Sequence, residues 1–245
     1  MSTQRSGHLE RTAQEPRDKF SAGQWLDTYV PGHSKPGGFT ITSTPRAAAD
    51  PESPYFELAV QESPDNPPAA WLWKSPPEII NSKLQVRVGG SFIFPPADIT
   101  LSEISRVVFV AGGVGINPLI SMMGCIAEEG YDLDVRVLYA SKVSTQGLKD
   151  VLFMERIRAW FEQETLKGGF KVFATGEYSG HEEIVGIDFL KRRLTIEDVS
   201  TAIEGKEGES VVYVCGPAVM TDEIVEGLTS DGGMDKKRVM LEKWW

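Results

Sequence analysis

Cysteine and histidine are scarce in this 245-residue chain, which has two of the first and three of the second. Cys125 and Cys215 are too far apart for a Cys-x-x-Cys metal or redox motif, and the scattered histidines form no zinc constellation, so no metal ligands are assigned. The count also excludes an intrinsic iron–sulfur cluster. Positive charge is short as well. Lys and Arg number 25 against 35 Asp and Glu, a net charge of −10 that repels nucleic acid and anionic lipid, and no basic run offsets it. The opening MSTQRSGHLERTAQEPRDKF lacks the apolar segment of a secretory signal. Arg5, Arg11 and Arg17 fit a mitochondrial signal while Glu10, Glu15 and Asp18 run against one, so an intracellular location, mitochondrial or cytoplasmic, is expected. Val107 to Ala127 is free of charge, yet Gly112, Gly113, Gly115, Pro118 and Gly124 interrupt it. Its β-branched first part and helical second part predict strand, turn and helix rather than a membrane span.

What is present is an ordinary globular composition, 41% hydrophobic and 24% charged, in a chain long enough for about two domains. Residues 1–19 read as a polar N-terminal segment. Over 20–100, the runs QWLDTYV, GGFTITST, YFELAVQ and LQVRVGGSFIF, punctuated by Gly and Pro, predict antiparallel β-structure with one short helix around Ala69 to Lys74. Pro95-Pro96 closes that part, since proline cannot donate to a continuing ladder. Over 101–245, strands alternate with helical stretches: RVVFVA (106–111), DVRVLYA (134–140), FKVFAT (170–175), SVVYVC (210–215) and RVMLEK (238–243). Their apolar runs suit strands buried on both faces, which predicts a doubly wound five-stranded parallel sheet with flanking helices. The fold class is therefore all-β followed by α/β, and a monomer is expected.

Four segments carry chemistry. Val108-Phe-Val-Ala-Gly-Gly-Val-Gly-Ile-Asn-Pro118 is a strand entering a glycine-rich turn and then a helix, where backbone N–H groups and the helix N-terminus favour a diphosphate; a tight turn without a ligand is the alternative. Tyr213-Val-Cys-Gly-Pro217 ends the fourth parallel strand and places Cys215 at the same crevice as Gly113. Alone, Cys215 reads as a buried structural thiol; beside the glycine turn it reads as part of a site. Gly38-Phe-Thr-Ile-Thr-Ser43 and Glu242-Lys-Trp-Trp245 are the other two, and the tryptophans either cover a flat group or plug the seam between domains. Met122, Met123 and Cys125 read as core, and Lys191, Arg192 and Arg193 as a solvated helix face.

Taken in order, Phe20-Ser-Ala-Gly-Gln-Trp25, Gly38-Phe-Thr40, Val88-Gly-Gly90, Ala111-Gly-Gly-Val-Gly-Ile-Asn-Pro118, Cys215-Gly-Pro217 and the aromatic C-terminal pair resemble the ferredoxin-NADP reductase superfamily from about Phe20 to Trp245. The pairing of PPAAWLW with VRVGGSFIF and the Glu-Lys-Trp-Trp end are most similar to the oxidoreductase NAD-binding domain-containing proteins of animals and fungi. The resemblance implies an FAD-binding-type β-barrel at 20–100 and an NAD(P)-binding domain at 101–245, with hydride passing from NAD(H) or NADP(H) to FAD and electrons going on to an unidentified acceptor. By position, Thr40 resembles the hydroxyl residue near flavin N5, Cys215 the cysteine near nicotinamide C4 and Glu242 the acid beside that pocket. Phe39, Thr40, Ile41 and Thr42 would line the flavin, and Trp244 or Trp245 would stack on it. Gly112, Gly113, Val114, Gly115, Ile116 and Pro118 would line the dinucleotide diphosphate, with Ser141, Cys215, Gly216 and Pro217 completing that side.

Three departures stand out. Where the family has arginine ahead of its tyrosine and hydroxyl residue, this chain has Gly37, Gly38, Phe39 and Thr40; Lys35 and Arg46 are nearby substitutes for the missing cation. Pro68-Ala-Ala-Trp71 stands where a glycine and a hydroxyl residue near the flavin diphosphate are usual. These two departures weaken FAD binding and keep open a non-catalytic nucleotide-binding or assembly role, or a flavin reductase that uses FAD as a dissociable substrate. The barrel also lacks its first strands, so the chain is either truncated or covers an open sheet edge with its polar N-terminal residues. Ser141 and Lys142 suit a 2′-phosphate and Glu177 suits ribose hydroxyls, and the reading leans to NAD(H).

Overall fold

A computed structural model describes residues 4–10, 20–144, 147, 151–177, 187–230 and 232–244, with the side chains of 4–6, 10 and 244 outside that description. The first half contains β1 (Gln4–Glu10), β2 (Trp25–Tyr29), β3 (Gly37–Thr40), α1 (Pro45–Ala48), β4 (Tyr55–Gln61), α2 (Pro67–Leu72), α3 (Pro76–Ile79) and β5 (Gln85–Gly89). All four expected strand segments form, and the helix expected at Ala69 to Lys74 starts two residues earlier. The strands make two antiparallel sheets, β3-β2-β5 and β1-β4, joined by a bridge between Ile41 and Leu58. β1 supplies what the sequence reading left as an open edge: it pairs with the whole length of β4, from Gln4 opposite Gln61 to Glu10 opposite Tyr55. Its polar run carries no strand pattern. The free ladder groups of β4 are what recruit it.

The second half contains β6 (Arg106–Gly112), α4 (Ile116–Glu129), β7 (Asp134–Val143), α5 (Met154–Glu162), β8 (Lys167–Gly176), β9 (Asp188–Leu190), α6 (Ile196–Ile203), β10 (Ser210–Pro217), α7 (Ala218–Thr229) and β11 (Val239–Trp244). They build one parallel sheet in the order β11-β10-β6-β7-β8-β9, with the five expected strands and a sixth, β9, at the edge. Three residues are too few for a periodic signal. Val107, Phe109 and Ala111 enter one core with Leu119, Met122, Met123 and Ile126 of α4 and Ile157 of α5, while Val108 and Val110 enter another with Val199 of α6 and Ile224 and Leu228 of α7. The period of two thus divides a fully apolar run between two helical layers. Val107 to Ala127 forms strand, turn and helix as expected, and no helix among the described residues is long and apolar enough to cross a membrane.

β4 joins the halves by the same alternation. Phe56, Leu58 and Val60 face the small core, while Glu57 and Ala59 belong to the seam with the second half. Asn117 Nδ2 on α4 donates to Ala59 O at 3.1 Å, Ser121 Oγ donates to Ser43 O at 2.6 Å, and Tyr213 Oη donates to Ile93 O at 2.8 Å. Buried Glu57 receives both arms of the Arg156 guanidinium from α5, at 2.8 and 2.9 Å, and the Thr42 hydroxyl at 3.0 Å. Arg156→Met leaves that buried carboxylate without its main counter-charge, so a destabilisation of about 2–3 kcal/mol is expected. Urea unfolding should show a lower midpoint at unchanged slope; a midpoint equal to the parent's would make the pair dispensable.

Candidate functional site

The carboxyl ends of β6, β10 and β11 meet at one corner of the parallel sheet. β6 ends at Gly112, a 3-10 turn spans Gly113–Gly115, and α4 starts at Ile116 with buried Pro118 in its first turn. Gly113 is exposed, has φ of 54°, and a Cβ there would meet nothing within 4 Å, so the turn is open to an incoming group. Gly115 is the opposite case: a Cβ would stand 2.0 Å from Cys215 O and 2.9 Å from Gly216 N. From the other strand, a Cβ on Gly216 would stand 3.1 Å from Gly112 Cα and 2.4 Å from Met220 Cε. The two turns therefore interlock backbone to backbone. Half-buried Val114 lies between Gly113 and Gly115, and the positive end of the α4 dipole reaches the open face of Gly113, which suits an anion.

Cys215 is fully buried, on the α4 side of the sheet with its ladder neighbour Ala111. On its other flank it is in register with Glu242, as Gly216 is with Lys243 and Pro217 with Trp244. Glu242 Oε2 is buried without a hydrogen-bond partner among the described residues, and burial pushes its pKa from 4.5 up to about 7. Lys243 forms an ion pair with Asp222 that ties β11 to α7. The Trp244 side chain and all of Trp245 lie outside the described residues. Ser141 is not in a loop: β7 runs on to Val143, and Ser141 stands opposite Ala174 because the β7–β8 ladder continues to Val143 and Gly176.

The residues expected around a flavin sit in the other half, across α4. Buried Thr40 ends β3 opposite Trp25, and Phe39 is half-buried beside it. Ile41 is fully buried in the small core, so only its backbone can meet a ligand, and the Thr42 hydroxyl is engaged by Glu57. The grip for an FAD diphosphate does not fit. A Cβ at Gly37 would stand 2.7 Å from the Phe39 ring and 2.8 Å from Pro68 Cβ, so no arginine fits at that position. At the start of α2, Pro67 and Pro68 have no N–H, and the N–H groups of Ala69 and Ala70 donate to Asn66 Oδ1 and Asn66 O.

Lys191, Arg192 and Arg193 occupy the bend between β9 and α6 rather than a helix face. Arg192 is drawn there by a bidentate pair with Asp198, at 2.6 Å on both arms, and lies 5.1 Å over the Phe173 ring. With Ala174, Thr175 and Gly176 these three line a cavity of ≈ 330 Å³ at the carboxyl end of β8. Met122 and Met123 are buried core residues as read, and Cys125 packs against the same core.

Comparison with known proteins agrees with this geometry. Residues 109–226, which contain both interlocked turns, match the oxidoreductase NAD-binding domain family. Oxidoreductase NAD-binding domain-containing protein 1 of Bos taurus is 32% identical over 236 residues, an alignment covering 92% of this chain and 72% of that protein. The chain belongs to the oxidoreductase NAD-binding domain-containing protein family. Its fold is that of the FAD/NAD-binding domain of nitric oxide dioxygenase from Vibrio cholerae O1 biovar El Tor, with a TM-score of 0.66 at 16% identity over 98% of this chain and 92% of that one. Ferredoxin-NADP+ reductase from Plasmodium falciparum gives a TM-score of 0.61 at 16% identity, covering 98% and 88%.

Within this family member, the structure brings together Gly112 to Pro118, Cys215, Gly216, Pro217 and Glu242, while Phe39 to Thr42 lie on β3 and just after it in the first half. Sequence reasoning missed Met220, which packs on Gly112 and Gly216, and Asn66, whose cap closes α2. Asn66 before two prolines is a legible cap signal; Met220 has none. Gly115→Ala should cost about 2–3 kcal/mol and disrupt nucleotide binding, whereas Gly113→Ala should cost only about 1 kcal/mol and weaken that binding. Urea unfolding with a fluorescence titration separates the two, and equal behaviour of both variants contradicts the interlock. Between pH 4.5 and about 7 the unfolded chain ionises Glu242 while the folded one keeps its proton, so the Glu242 contribution to stability falls as pH rises through that window. Glu242→Gln should flatten that part of the stability–pH profile; an unchanged profile would place the shift elsewhere.

Proposed function

We propose that this chain is an oxidoreductase that moves hydride from NADH or NADPH to a flavin ring and hands the electrons to a further acceptor. The observation that carries this reading is the interlock of Gly112–Gly115 with Cys215–Gly216, which leaves an open anion-favouring face at Gly113, with β10 between it and the β11 residue Glu242, whose buried Oε2 has no hydrogen-bond partner among the described residues. Reduced nicotinamide supplies the hydride and the flavin ring is its acceptor. The protein's part is orientation. Gly112, Gly113, Val114, Gly115, Ile116 and Pro118 would hold the dinucleotide diphosphate, and Ser141 would approach the adenosine end.

Cys215, Gly216 and Pro217 would set the nicotinamide against the sheet end, with a tryptophan of the 244–245 pair against the flavin. Glu242, with its pKa near neutrality, can hold or release a proton there. Thr40 would face the flavin's reacting edge. We place the division of labour at residue 100, with the barrel half taking the flavin and residues 101–245 the dinucleotide. Of the polar segment 1–19, β1 belongs with the barrel half through its pairing with β4. A second reading, a nucleotide-binding or assembly protein without catalysis, draws on the closed diphosphate position at Gly37 and Pro68.

An anaerobic mixture of protein, NADH or NADPH, and added FAD separates the two. The catalytic reading expects protein-dependent bleaching of the flavin band near roughly 450 nm, slowed about tenfold or more in Cys215→Ser and in Thr40→Val. Dinucleotide binding without bleaching would select the non-catalytic reading. The relative rates with NADH and NADPH decide the coenzyme.

A further inference from the structure

The closed surface around Gly37 bears on which flavins this protein accepts. Two independent features remove the groups that would ordinarily hold a flavin phosphate, and no cation is packed in their place. Gly37 is buried with the Phe39 ring and Pro68 directly over it, so the position has neither a cation nor room for one. The first turn of α2 offers no free donor, because two of its residues are prolines and the next two N–H groups are taken by Asn66. The two nearby cations are exposed rather than packed over Gly37. Lys35 is exposed in the β2–β3 turn, and Arg46 is exposed on α1, which packs on β4 and α4 whereas α2 packs on β3 and β4.

Building against a phosphate on several sides at once distinguishes this surface from a site that has lost one residue. Pro68 is buried against Gly37 and Asn66 caps the helix, so the segment is a packed wall rather than an empty cradle. Isoalloxazine recognition does not depend on that wall, since a flat apolar ring needs surface and a hydroxyl partner rather than anion donors.

We propose that the flavin partner is recognised through its ring and ribityl end alone, so that riboflavin, FMN and FAD bind with comparable affinity and exchange freely with solvent as substrates. This rests on the flavin reading above. A charge-assisted phosphate contact raises affinity roughly 10- to 150-fold, so a protein that holds the diphosphate must separate FAD from riboflavin by about that factor. Here the three dissociation constants should lie within about threefold of one another.

Flavin fluorescence quenching on the full chain measures this directly, with riboflavin, FMN and FAD titrated separately in low and high salt. Comparable affinities with little salt dependence support the proposal. FMN or FAD binding more than about tenfold tighter than riboflavin, or FAD remaining with the protein through gel filtration, overturns it and leaves the flavin reading standing. Absence of saturable quenching by any of the three overturns the flavin reading and the proposal together. In the double variant Asn66→Ala, Pro68→Gly, which frees donors at α2 and opens the space over Gly37, FAD should gain on riboflavin. An unchanged ratio in a folded variant would show that the wall is not what withholds the phosphate.

Discussion

Gly115 and the Cys215 carbonyl approach so closely that not even a methyl group fits between them, and much of the rest of the molecule follows from that contact. It sets the spacing of the β6 and β10 ends where they diverge into turns, and it aims the start of α4. α4 in turn carries Asn117 and Ser121, whose side chains hold Ala59 and Ser43 of the other half. A backbone contact at the sheet end is thus transmitted through one helix to the seam. Side chains on β6 and β10 can vary in size within their cores, but the glycine cannot, because its neighbour is main chain that has no rotamer to move aside.

Two carboxyls, buried Glu57 and half-buried Glu242, show how differently the protein treats charge at the seam and at the site. Glu57 receives a guanidinium and a hydroxyl, and its own N–H donates to Ser43 Oγ at 3.0 Å. Those partners offset the loss of water and fix the angle between α5 and β4. Glu242 Oε2 has no such partner among the described residues, and burial raises the affinity of the carboxyl for a proton. A carboxyl oxygen buried without a hydrogen bond costs stability, which a paired one such as Glu57 largely recovers.

The apolar strands were legible in the sequence because burial on both faces leaves a continuous run that solvent-facing strands do not have. β6 and β10 carry that run, and the glycine and Cys-Gly-Pro turns follow directly from their ends. β1 and β9 were not legible, since neither has a pattern of its own and both form on a free edge provided by a neighbour. Thr42 and Thr40 illustrate the limit for the site. Alternation places the two threonines on a shared face, but it cannot tell that Glu57 two strands' length away in sequence will claim one hydroxyl. Arg192 misled for the same reason: its partner Asp198 belongs to the next helix's capping box, which a charge run does not reveal. The apolar pattern of β7 ends at Ala140, so Ser141 reads as lying beyond the strand, whereas backbone pairing with β8 carries the strand on to Val143.

The pairing of β1 with β4 has a consequence for how the chain emerges from the ribosome. Gly7 is synthesised long before Leu58, its partner, and contacts this distant in sequence form late. Until then β1 must remain unpaired beside a growing chain whose next strands are apolar. A run such as QRSGH suits that interval, being too polar to collapse onto a wrong neighbour and held afterwards mainly by main-chain bonds. The weak strand character of β1 thus suits an element whose partner lies about fifty residues further along the chain.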